Sequence, residues 1–418
     1  MRIQPLRGTH DLYGEQLSKY RIIEKIVQTN ANIYDFFDVV TPIFESSDLF
    51  KKPLGEESDV VLKEMYTFKD RNDSMLTLRP EHTTPMLRAA ISNNFLEKLP
   101  VKLYGMGPVF RRERPQKGRY RQFNQINFEI LGTDNVMADV DLILLADKIL
   151  KSILPNNRIN LYINSLGDKN TLILFKKELS SFFKNHAKDL SEESQKKVLS
   201  NPLRILDSKN VIDQAINKSS PKISNFFSKN ENNKFLSIQN LLKEASIKYI
   251  INPNLVRGLD YYCHTVFEFK SDELGSQDTL IGGGRYDGLV QLLGGPDIPG
   301  VGWAGGIERL ILLMNNNQKI DNKIHFILMD QKFQSYGLQV LNELRKNNLK
   351  VHFDYKYNLK KSLSFANNSN YEYVIIVGEN ETNSTKVSVR KKREGDIGKM
   401  SLTELENILN LEVLNHTK

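Results

Sequence analysis

A basic loop between two strand-like segments holds the residues best suited to chemistry. Arg111 and the loop that follows it, residues 112–121, carry six positive charges and one acid, with Pro115 and Gly118 as breakers. Arginines in such a loop favour a pocket for an anion such as a nucleotide phosphate. A basic surface hairpin with solvated charges is the alternative that the loop alone leaves open.

The strand-like segment after this loop has one apolar face and one polar face. Side chains alternate between the two faces of a strand. The apolar face takes Ile126, Phe128 and Ile130, and the polar face takes Gln125, Asn127 and Glu129. Such a strand faces either water or a polar pocket, and the neighbouring arginines favour the pocket.

Further elements must close that pocket. Residues 65–68 and 75–79 predict a second hairpin, which leads through a turn containing Glu81 into a helix. A carboxylate such as Glu81 can hold an ammonium group as a charge-assisted pair. The helix dipole favours the same carboxylate in a first turn, and the two interpretations are compatible. Residues 281–289 are rich in glycine and predict a loop.

Composition sets bounds on the class of protein. A chain of 418 residues is long for one domain, and its net charge of +8 favours an anionic partner. Cys263 is the single cysteine, which excludes an internal disulfide and a multi-cysteine zinc site. The seven histidines show no metal-ligand spacing, so we expect no metal held by the protein alone. No segment resembles a signal peptide or a membrane span, so we expect a cytoplasmic protein without a membrane partner.

The hydrophobic pattern divides the chain into parts. Residues 1–320 mix helix-like and strand-like segments, and residues 169–250 within them predict a helical insertion. Residues 324–418 alternate apolar strands with helices, which favours a small α/β domain with a parallel-rich sheet. The basic run at residues 390–393 either contacts RNA phosphates or is solvated, and the sequence leaves both open.

Residues 300–305 spell G-x-G-x-x-G, the pattern of a dinucleotide-binding turn. That fingerprint requires a strand directly before it in a βαβ unit. Pro296 and Pro299 stand where the strand would have to be. We therefore reject dinucleotide binding for this stretch.

The motifs and their order resemble those of the histidyl-tRNA synthetases, which are class II aminoacyl-tRNA synthetases. Phe110-Arg111-x-Glu113, the variable loop and Arg121-x-Phe123-x-Gln125 resemble motif 2 of that class. The other similar segments are the start at Leu6–Asp11, the helix, strand and proline of motif 1 at residues 20–45, the amino-acid-binding loop at residues 77–83, the segment Leu255–Phe269 and motif 3 at residues 306–310. His82 departs from the family, which more often has glycine there.

The resemblance implies a fold and a reaction. The fold would be an α+β catalytic domain at residues 1–320, an antiparallel sheet flanked by helices, with the helical insertion at residues 169–250. An α/β anticodon-binding domain would follow at residues 324–418. The protein would be a homodimer that activates histidine with ATP, with Mg²⁺ on the ATP phosphates, and transfers the histidyl group to tRNA(His). The insertion would contact the tRNA acceptor arm; a solubilising helical lid is the alternative.

The resemblance also implies which residues bind ATP and catalyse the reaction. The catalytic residues would be Arg111 and Arg257, at the α-phosphate and the histidine carboxylate, and Arg309, at the distal phosphates. Glu113, Arg119 and Phe123 would position ATP, with the Phe123 ring stacked on adenine.

A second set of residues would bind histidine: Glu81, Thr83, Gln125, Glu129, Arg257, Tyr261, Tyr262 and Tyr286. Glu81 and Gln125 would bind the α-ammonium group, with Thr83 nearby. Glu129 and Tyr262 would bind the two imidazole nitrogens, and such a site rejects analogues that lack one of them. Tyr286 would point inward from the glycine-rich loop that closes the pocket, and one of Tyr261 and Tyr262 would pack in the core.

Other classes of protein remain to be weighed. A regulatory paralogue of this family is a non-catalytic subunit of ATP phosphoribosyltransferase, but such paralogues usually lose the C-terminal domain and erode motifs 2 and 3. A synthetase for another amino acid is disfavoured by Glu129 together with the segment at residues 255–262. A plain RNA-binding protein would not need phosphate-facing arginines beside an amino-acid pocket.

Overall fold

The computed structural model describes residues 3–55, 58, 60–315, 324–347, 349–369, 371–392, 394–405 and 407–409, without the side chains of residues 276 and 277. These residues form two compact units, one ending at Asn315 and one beginning at Ile324. The two units are described separately.

The first unit is built on a large sheet, and only some of the unit's strands were predicted from the sequence. Its strands are β1 (Phe37–Asp38), β2 (Phe44–Ser46), β3 (Tyr66–Lys69), β4 (Met75–Leu78), β5 (Val101–Phe110), β6 (Gln122–Leu131), β7 (Asn160–Ser165), β8 (Ile250–Ile251), β9 (Cys263–Lys270), β10 (Thr279–Arg285) and β11 (Gly300–Gly306). Eight of the described strands form one sheet in the order β1-β5-β6-β11-β10-β9-β7-β8. The pairs are antiparallel except at the two edges, where β1 runs parallel to β5 and β8 parallel to β7. The predicted antiparallel sheet is therefore mixed at its edges.

Helices cover this sheet and form the insertion. They are α1 (Gly14–Ile33), α2 (Asp48–Leu54), α3 (Thr83–Ser92), α4 (Val136–Ile153), α5 (Lys169–Asn185), α6 (Glu192–Ser200), α7 (Leu203–Leu206), α8 (Val211–Asn217), α9 (Lys229–Glu244), α10 (Leu289–Leu292) and α11 (Ile307–Leu313). Helices α5 to α9 lie between β7 and β8, where the sequence predicted a helical insertion. No helix among the described residues is long and apolar enough to cross a membrane.

The alternation of β6 is confirmed. Its apolar face packs in the core, where the rings of Phe128 and Trp303 lie with centroids 4.7 Å apart. Strands β6 and β11 are antiparallel neighbours, and Glu129 lies opposite Gly302 in their register. The polar face of β6 therefore points to the other side of the sheet, over the glycines of its neighbour.

Two predicted elements differ in the structure. The strand expected before Pro42 is only β1, and the chain then crosses to a separate sheet of order β2-β4-β3. Arg79 Nη1 donates to the Thr41 and Pro42 carbonyls at 2.7 and 3.3 Å, so a side chain takes the place of a strand neighbour there. The glycine-rich stretch at residues 281–289 was predicted as a loop, but residues up to Arg285 form the central strand β10. Glycine was a misleading signal because a Cβ at Gly282 would overlap the Arg257 side chain, and a Cβ at Gly283 or Gly284 would overlap atoms of the neighbouring strands.

The second unit is a small α/β domain. Its elements are β12 (Ile324–Leu328), α12 (Gln334–Lys346), β13 (Val351–Phe353), α13 (Leu359–Asn368), β14 (Tyr373–Val377), α14 (Glu379–Ser384), β15 (Val387–Lys391) and β16 (Gly395–Met400), with further helix within residues 402–409. The sheet order is β13-β12-β14-β15-β16, parallel in the first three strands and antiparallel in the last three. The sequence predicts a hairpin or turn at residues 379–392 with a strand at residues 386–389. The structure has helix α14 at the start of this stretch, and strand β16 after β15 was not predicted. The sequence also predicts a last helix at residues 401–411, of which residues 406, 410 and 411 lie outside the described residues, as does Arg393.

Candidate active site

One cavity of the first unit, with a volume of about 200 Å³, collects most of the residues that the motifs singled out. Its walls come from the start of α3, the loop between β5 and β6, strand β6, the segment before β9 and the start of α11. Eleven of the thirteen predicted site residues line it: Glu81, Thr83, Arg111, Glu113, Arg119, Phe123, Gln125, Arg257, Tyr261, Tyr262 and Arg309. The other two, Glu129 and Tyr286, lie behind this lining.

Two arginines are anchored to main-chain carbonyls at the rim of the cavity. Arg111 Nε donates to the Pro80 carbonyl at 2.8 Å, and its guanidinium lies 5.6 Å from the centroid of the Phe123 ring. Arg309 donates to the carbonyls of Thr279 and Gly118 at 2.6 and 3.2 Å. Burial and the nearby Arg119 lower the pKa of Arg309. Both guanidinium groups are thus fixed in direction, which suits them to bind an anion.

Arg257 is held by an acid to which the motifs assigned no role. Its guanidinium pairs with Glu268 of β9 and lies 5.6 Å from the Tyr262 ring centroid. Burial alone would lower the pKa of Arg257, but Glu268, Tyr262 and Tyr261 together outweigh burial and raise that pKa. Arg257 Nε is buried without a hydrogen-bond partner among the described residues, as is Gln125 Oε1. Unpaired polar atoms in a cavity wall point to a polar ligand.

Gly282 explains why the glycine-rich strand is needed here. A Cβ at Gly282 would overlap the guanidinium of Arg257. Gly282 lies opposite Glu268 in the β9–β10 register, so the arginine lies over the glycine and beside the acid. The absent side chain therefore makes room for the charged group.

The start of α3 holds Glu81 and His82. Glu81 accepts hydrogen bonds from the N–H groups of Thr83 and Thr84 at 2.7 and 2.8 Å, so it caps the helix while it lines the cavity. His82 is buried, and burial lowers its pKa to about 3. Its neutral ring donates from Nε2 to the Gly107 carbonyl at 3.1 Å. The residue that departs from the family pattern is thus a structural histidine, and the turn it occupies still presents Glu81.

Glu129 lies at the centre of a buried hydrogen-bond network. It accepts from the hydroxyl of Tyr286 at 2.5 Å, from the hydroxyl of Thr83 at 2.7 Å and from Asn127 Nδ2 at 3.2 Å. Complete burial raises the pKa of Glu129 to about 8, and these hydrogen bonds moderate the rise. A Cβ at Gly302 would overlap this carboxyl group. Thr83 lines the cavity, so the network reaches the cavity wall through that residue.

Two tyrosines lie between this network and Arg257. The rings of Tyr261 and Tyr262 lie with centroids 4.6 Å apart, and Tyr261 meets Tyr286 edge-on at 5.8 Å. Both line the cavity and both pack against the apolar cluster beside it. One of the two was expected to pack in the core, but both tyrosines contact the core and the cavity, so the structure does not distinguish them in this respect.

Sequence reasoning missed several residues of the site. Glu268 stands between Phe267 and Phe269 in β9, and a buried acid in such a place signals a cationic partner. Glu308 lines the cavity and accepts from the N–H and the side chain of Asn124 at 2.9 Å. Asn127 shares the polar face of β6 and bonds both Thr83 and Glu129. The period of the strand pointed to Asn127, but no family motif did.

Among the described residues, the structure brings one possible metal-ligand group together. The ligand atoms of Cys263, His264 and Asp287 lie within 4.8 Å of one another. Burial raises the pKa of the Cys263 thiol to about 12, and the Arg285 guanidinium lies 3.9 Å from Asp287. A protonated thiol beside a fixed positive charge disfavours a bound cation.

Comparison with known proteins covers both units. The family model described as histidyl-tRNA synthetase matches residues 8–310, and the model described as anticodon binding domain matches residues 310–411. The histidine--tRNA ligase of Wolbachia pipientis (strain wPip) is 42% identical over 95% of this chain and 97% of its own length. That of Ehrlichia ruminantium (strain Welgevonden) is 44% identical over 98% of each chain.

A solved structure agrees with the fold. The apo histidyl-tRNA synthetase of S. aureus is 30% identical, covers 98% of this chain and all of its own, and has a TM-score of 0.79. The predicted fold class, a sheet flanked by helices followed by an anticodon-binding α/β domain, is confirmed. The resemblance first seen in the motifs is confirmed over nearly the whole length, and the chain belongs to the histidyl-tRNA synthetase family.

Proposed function

We propose that this protein is a histidine–tRNA ligase, which activates histidine with ATP and then transfers the histidyl group to the 3′ end of tRNA(His). One observation carries the proposal beyond family membership. A single cavity places three arginines suited to phosphates beside a buried carboxyl network suited to an imidazole. The three arginines are Arg111, Arg257 and Arg309.

In the first step a carboxylate oxygen of histidine attacks the α-phosphorus of ATP. A new P–O bond forms while the bond to pyrophosphate breaks, and the leaving pyrophosphate takes the electron pair. The nucleophile is already an anion, so this step requires no general base. Arg111 and Arg257 stabilise the charge that develops at the α-phosphate, and Arg309 binds the distal phosphates. Catalysis is then positioning plus charge stabilisation.

ATP is positioned by the loop between β5 and β6 and by strand β6. The Phe123 ring stacks on adenine, and the ion pair of Glu113 with Arg119 borders the phosphates. Mg²⁺ bound to the ATP phosphates would neutralise part of their charge. Two carboxylates of the cavity wall, Glu113 and Glu308, are of the type that Mg²⁺ accepts as ligands.

Histidine is bound at the other end of the cavity. Glu81 and Gln125 bind its α-ammonium group, and the buried Gln125 Oε1 supplies an acceptor that has no partner among the described residues. Tyr262 binds one imidazole nitrogen from the cavity wall, and Glu129, which lies behind that wall, binds the other by giving up the hydrogen bond that it accepts from Thr83. Tyr261 and Tyr286 surround the ring. A hydrogen-bonding pocket of this kind discriminates strongly, because a substrate that lacks one nitrogen leaves a buried group unpaired.

In the second step a hydroxyl of the tRNA 3′-terminal ribose attacks the histidyl carbonyl, and AMP leaves. The family resemblance supports tRNA(His) as the partner, a homodimer as the working form and the cytoplasm as the place of charging. The C-terminal unit, through its match to the anticodon-binding model, supports contact with the anticodon end of the tRNA.

The experiment that tests this function is aminoacylation. Purified protein, ATP and total tRNA are incubated with each labelled amino acid, and acid-precipitable label is measured. The proposal expects label only from histidine, and only on tRNA(His). Absence of charging, together with binding to ATP phosphoribosyltransferase, would replace the proposal with the regulatory paralogue. The described cavity keeps all three arginines, which disfavours that alternative.

A further inference from the structure

Arg204, on the short helix α7 of the insertion, contacts the loop that carries Arg257. Its Nη1 donates to the main-chain carbonyl of Arg257 at 2.8 Å, and its Nη2 donates to the carbonyl of Gly258. The same guanidinium pairs with the Asp260 carboxylate at 3.3 Å. One side chain of the insertion therefore holds three points along residues 257–260.

Little else fixes the main chain of this loop. Residues 256–262 lie between β8 and β9 without a strand neighbour, and within the part of the chain that the structure describes no hydrogen bond is found from the N–H groups of residues 256–261. Upstream, Asn164 Nδ2 donates to the Leu255 carbonyl at 3.1 Å. A guanidinium offers several donors in a rigid plane, so it can bind two successive carbonyls at once. Arg204 thus supplies hydrogen bonds to main-chain carbonyls that a neighbouring strand would otherwise supply.

The Arg204 guanidinium is mostly buried, whereas its partners Gly258 and Asp260 lie at the surface. The Arg204 side chain is 15% exposed and that of Asp260 is 28% exposed. Asn201 Nδ2 also donates to the Asp260 carboxylate, at 3.2 Å. Ile205 of α7 and Val256 of the loop belong to the same buried apolar cluster. A displacement of α7 would therefore displace the loop.

Arg257 is held from two directions by groups with different tasks. Glu268 pairs with its guanidinium, and Arg204 fixes its main chain. We infer that Arg204 is a positioning residue for amino-acid activation, through which the helical insertion sets the place of Arg257. The inference rests on the proposed function. Misplacing a charge-stabilising group by about 1 Å can lower the rate roughly 100-fold, so loss of the Arg204 contact should have a measurable effect on the rate.

The test measures histidine-dependent ATP–pyrophosphate exchange by the full chain carrying Arg204→Ala. We expect kcat to fall by about tenfold to 100-fold, with smaller changes in KM for ATP and histidine. The matched control is Lys196→Ala, which removes one positive charge from an exposed position of the same insertion and should leave kcat unchanged. Exchange by the wild type tests the proposed function independently of either variant.

A double-mutant cycle separates positioning from a general loss of structure. If Arg204 acts through Arg257, Arg204→Ala should change the residual rate of Arg257→Ala by less than about twofold. An equal loss in both backgrounds, or a wild-type rate for Arg204→Ala, would overturn the inference. Should Arg204→Ala fail to fold, Arg204→Lys decides. One ammonium cannot reproduce the planar double contact, so its kcat should fall, and an unchanged kcat would overturn the inference.

Discussion

Replacing Glu129 by glutamine should change how the stability of the protein depends on pH. Burial raises the pKa of Glu129 to about 8, from an ordinary value of 4.5. Between those two values the folded chain binds one proton more than the unfolded chain at this residue. The contribution of Glu129 to stability is therefore complete below pH 4.5 and is lost as the pH rises through about 8. Glutamine has nearly the same shape and does not ionise, so its contribution is constant.

The size of the effect follows from the same linkage. Each pH unit over which the proton difference is complete changes the free energy of unfolding by about 1.4 kcal/mol. From pH 6 to pH 9, the wild type should lose about 3 kcal/mol relative to Glu129→Gln, on an order-of-magnitude basis. The unfolding free energy of the wild type minus that of the variant should thus be smaller at pH 9 than at pH 6.

The single tryptophan allows the unfolding of the first unit, which contains Glu129, to be followed. Trp303 is buried on β11, next to Gly302, which lies opposite Glu129. Urea unfolding followed by tryptophan fluorescence therefore reports on the sheet that contains the carboxyl group. A wild-type-minus-variant difference that stays constant within about 0.5 kcal/mol between the two pH values would refute the assigned ionisation.

A second variant serves as the control for that experiment. Glu231 is also buried, but hydrogen bonds from Ser228 and its neighbours outweigh burial and lower its pKa. Glu231 is then ionised throughout the range from pH 6 to pH 9. Glu231→Gln should change the unfolding free energy by the same amount at both pH values.

Three further predictions concern the cavity and the core beneath it. Gly282→Ala would place a methyl group where the Arg257 guanidinium lies, and the pyrophosphate-exchange kcat should fall at least tenfold while circular dichroism is unchanged. Phe123→Ala should raise KM for ATP roughly fivefold or more without raising KM for histidine, because base–aromatic stacking contributes about 1–3 kcal/mol; equal increases in both constants would contradict the stacking role. Asp139→Ala would leave Arg285 buried without its bidentate partner and should lower the free energy of unfolding by about 3–5 kcal/mol, and adding Arg285→Met should recover part of that loss in urea titrations.

The features that could be predicted from the sequence are local ones. The alternation of Gln125 and Glu129 with apolar neighbours is set by the period of one strand, and it assigned the faces of β6 correctly. The arginine-rich loop and the motif order likewise led to the residues that line the cavity. Each of these signals lies within a few residues of the next.

The features that could not be predicted depend on distant partners. The structure places Gly282 and Gly302 in strands β10 and β11. Glycine is needed at these two positions because the Arg257 guanidinium and the Glu129 carboxyl group occupy the space above Gly282 and Gly302. Neither partner is adjacent in sequence, so the glycines of residues 281–289 were predicted as a loop. The contact of Arg204 with the loop is of the same kind, since the insertion carried no pattern beyond helical spacing.

The most direct test of the central claim is ATP–pyrophosphate exchange with each amino acid in turn, on the wild type and on Glu129→Ala. The account predicts exchange with histidine alone by the wild type, and loss of that exchange in the variant. Folded wild-type protein that gives no exchange with any amino acid would contradict the account, as would a Glu129→Ala variant that keeps full histidine-dependent exchange.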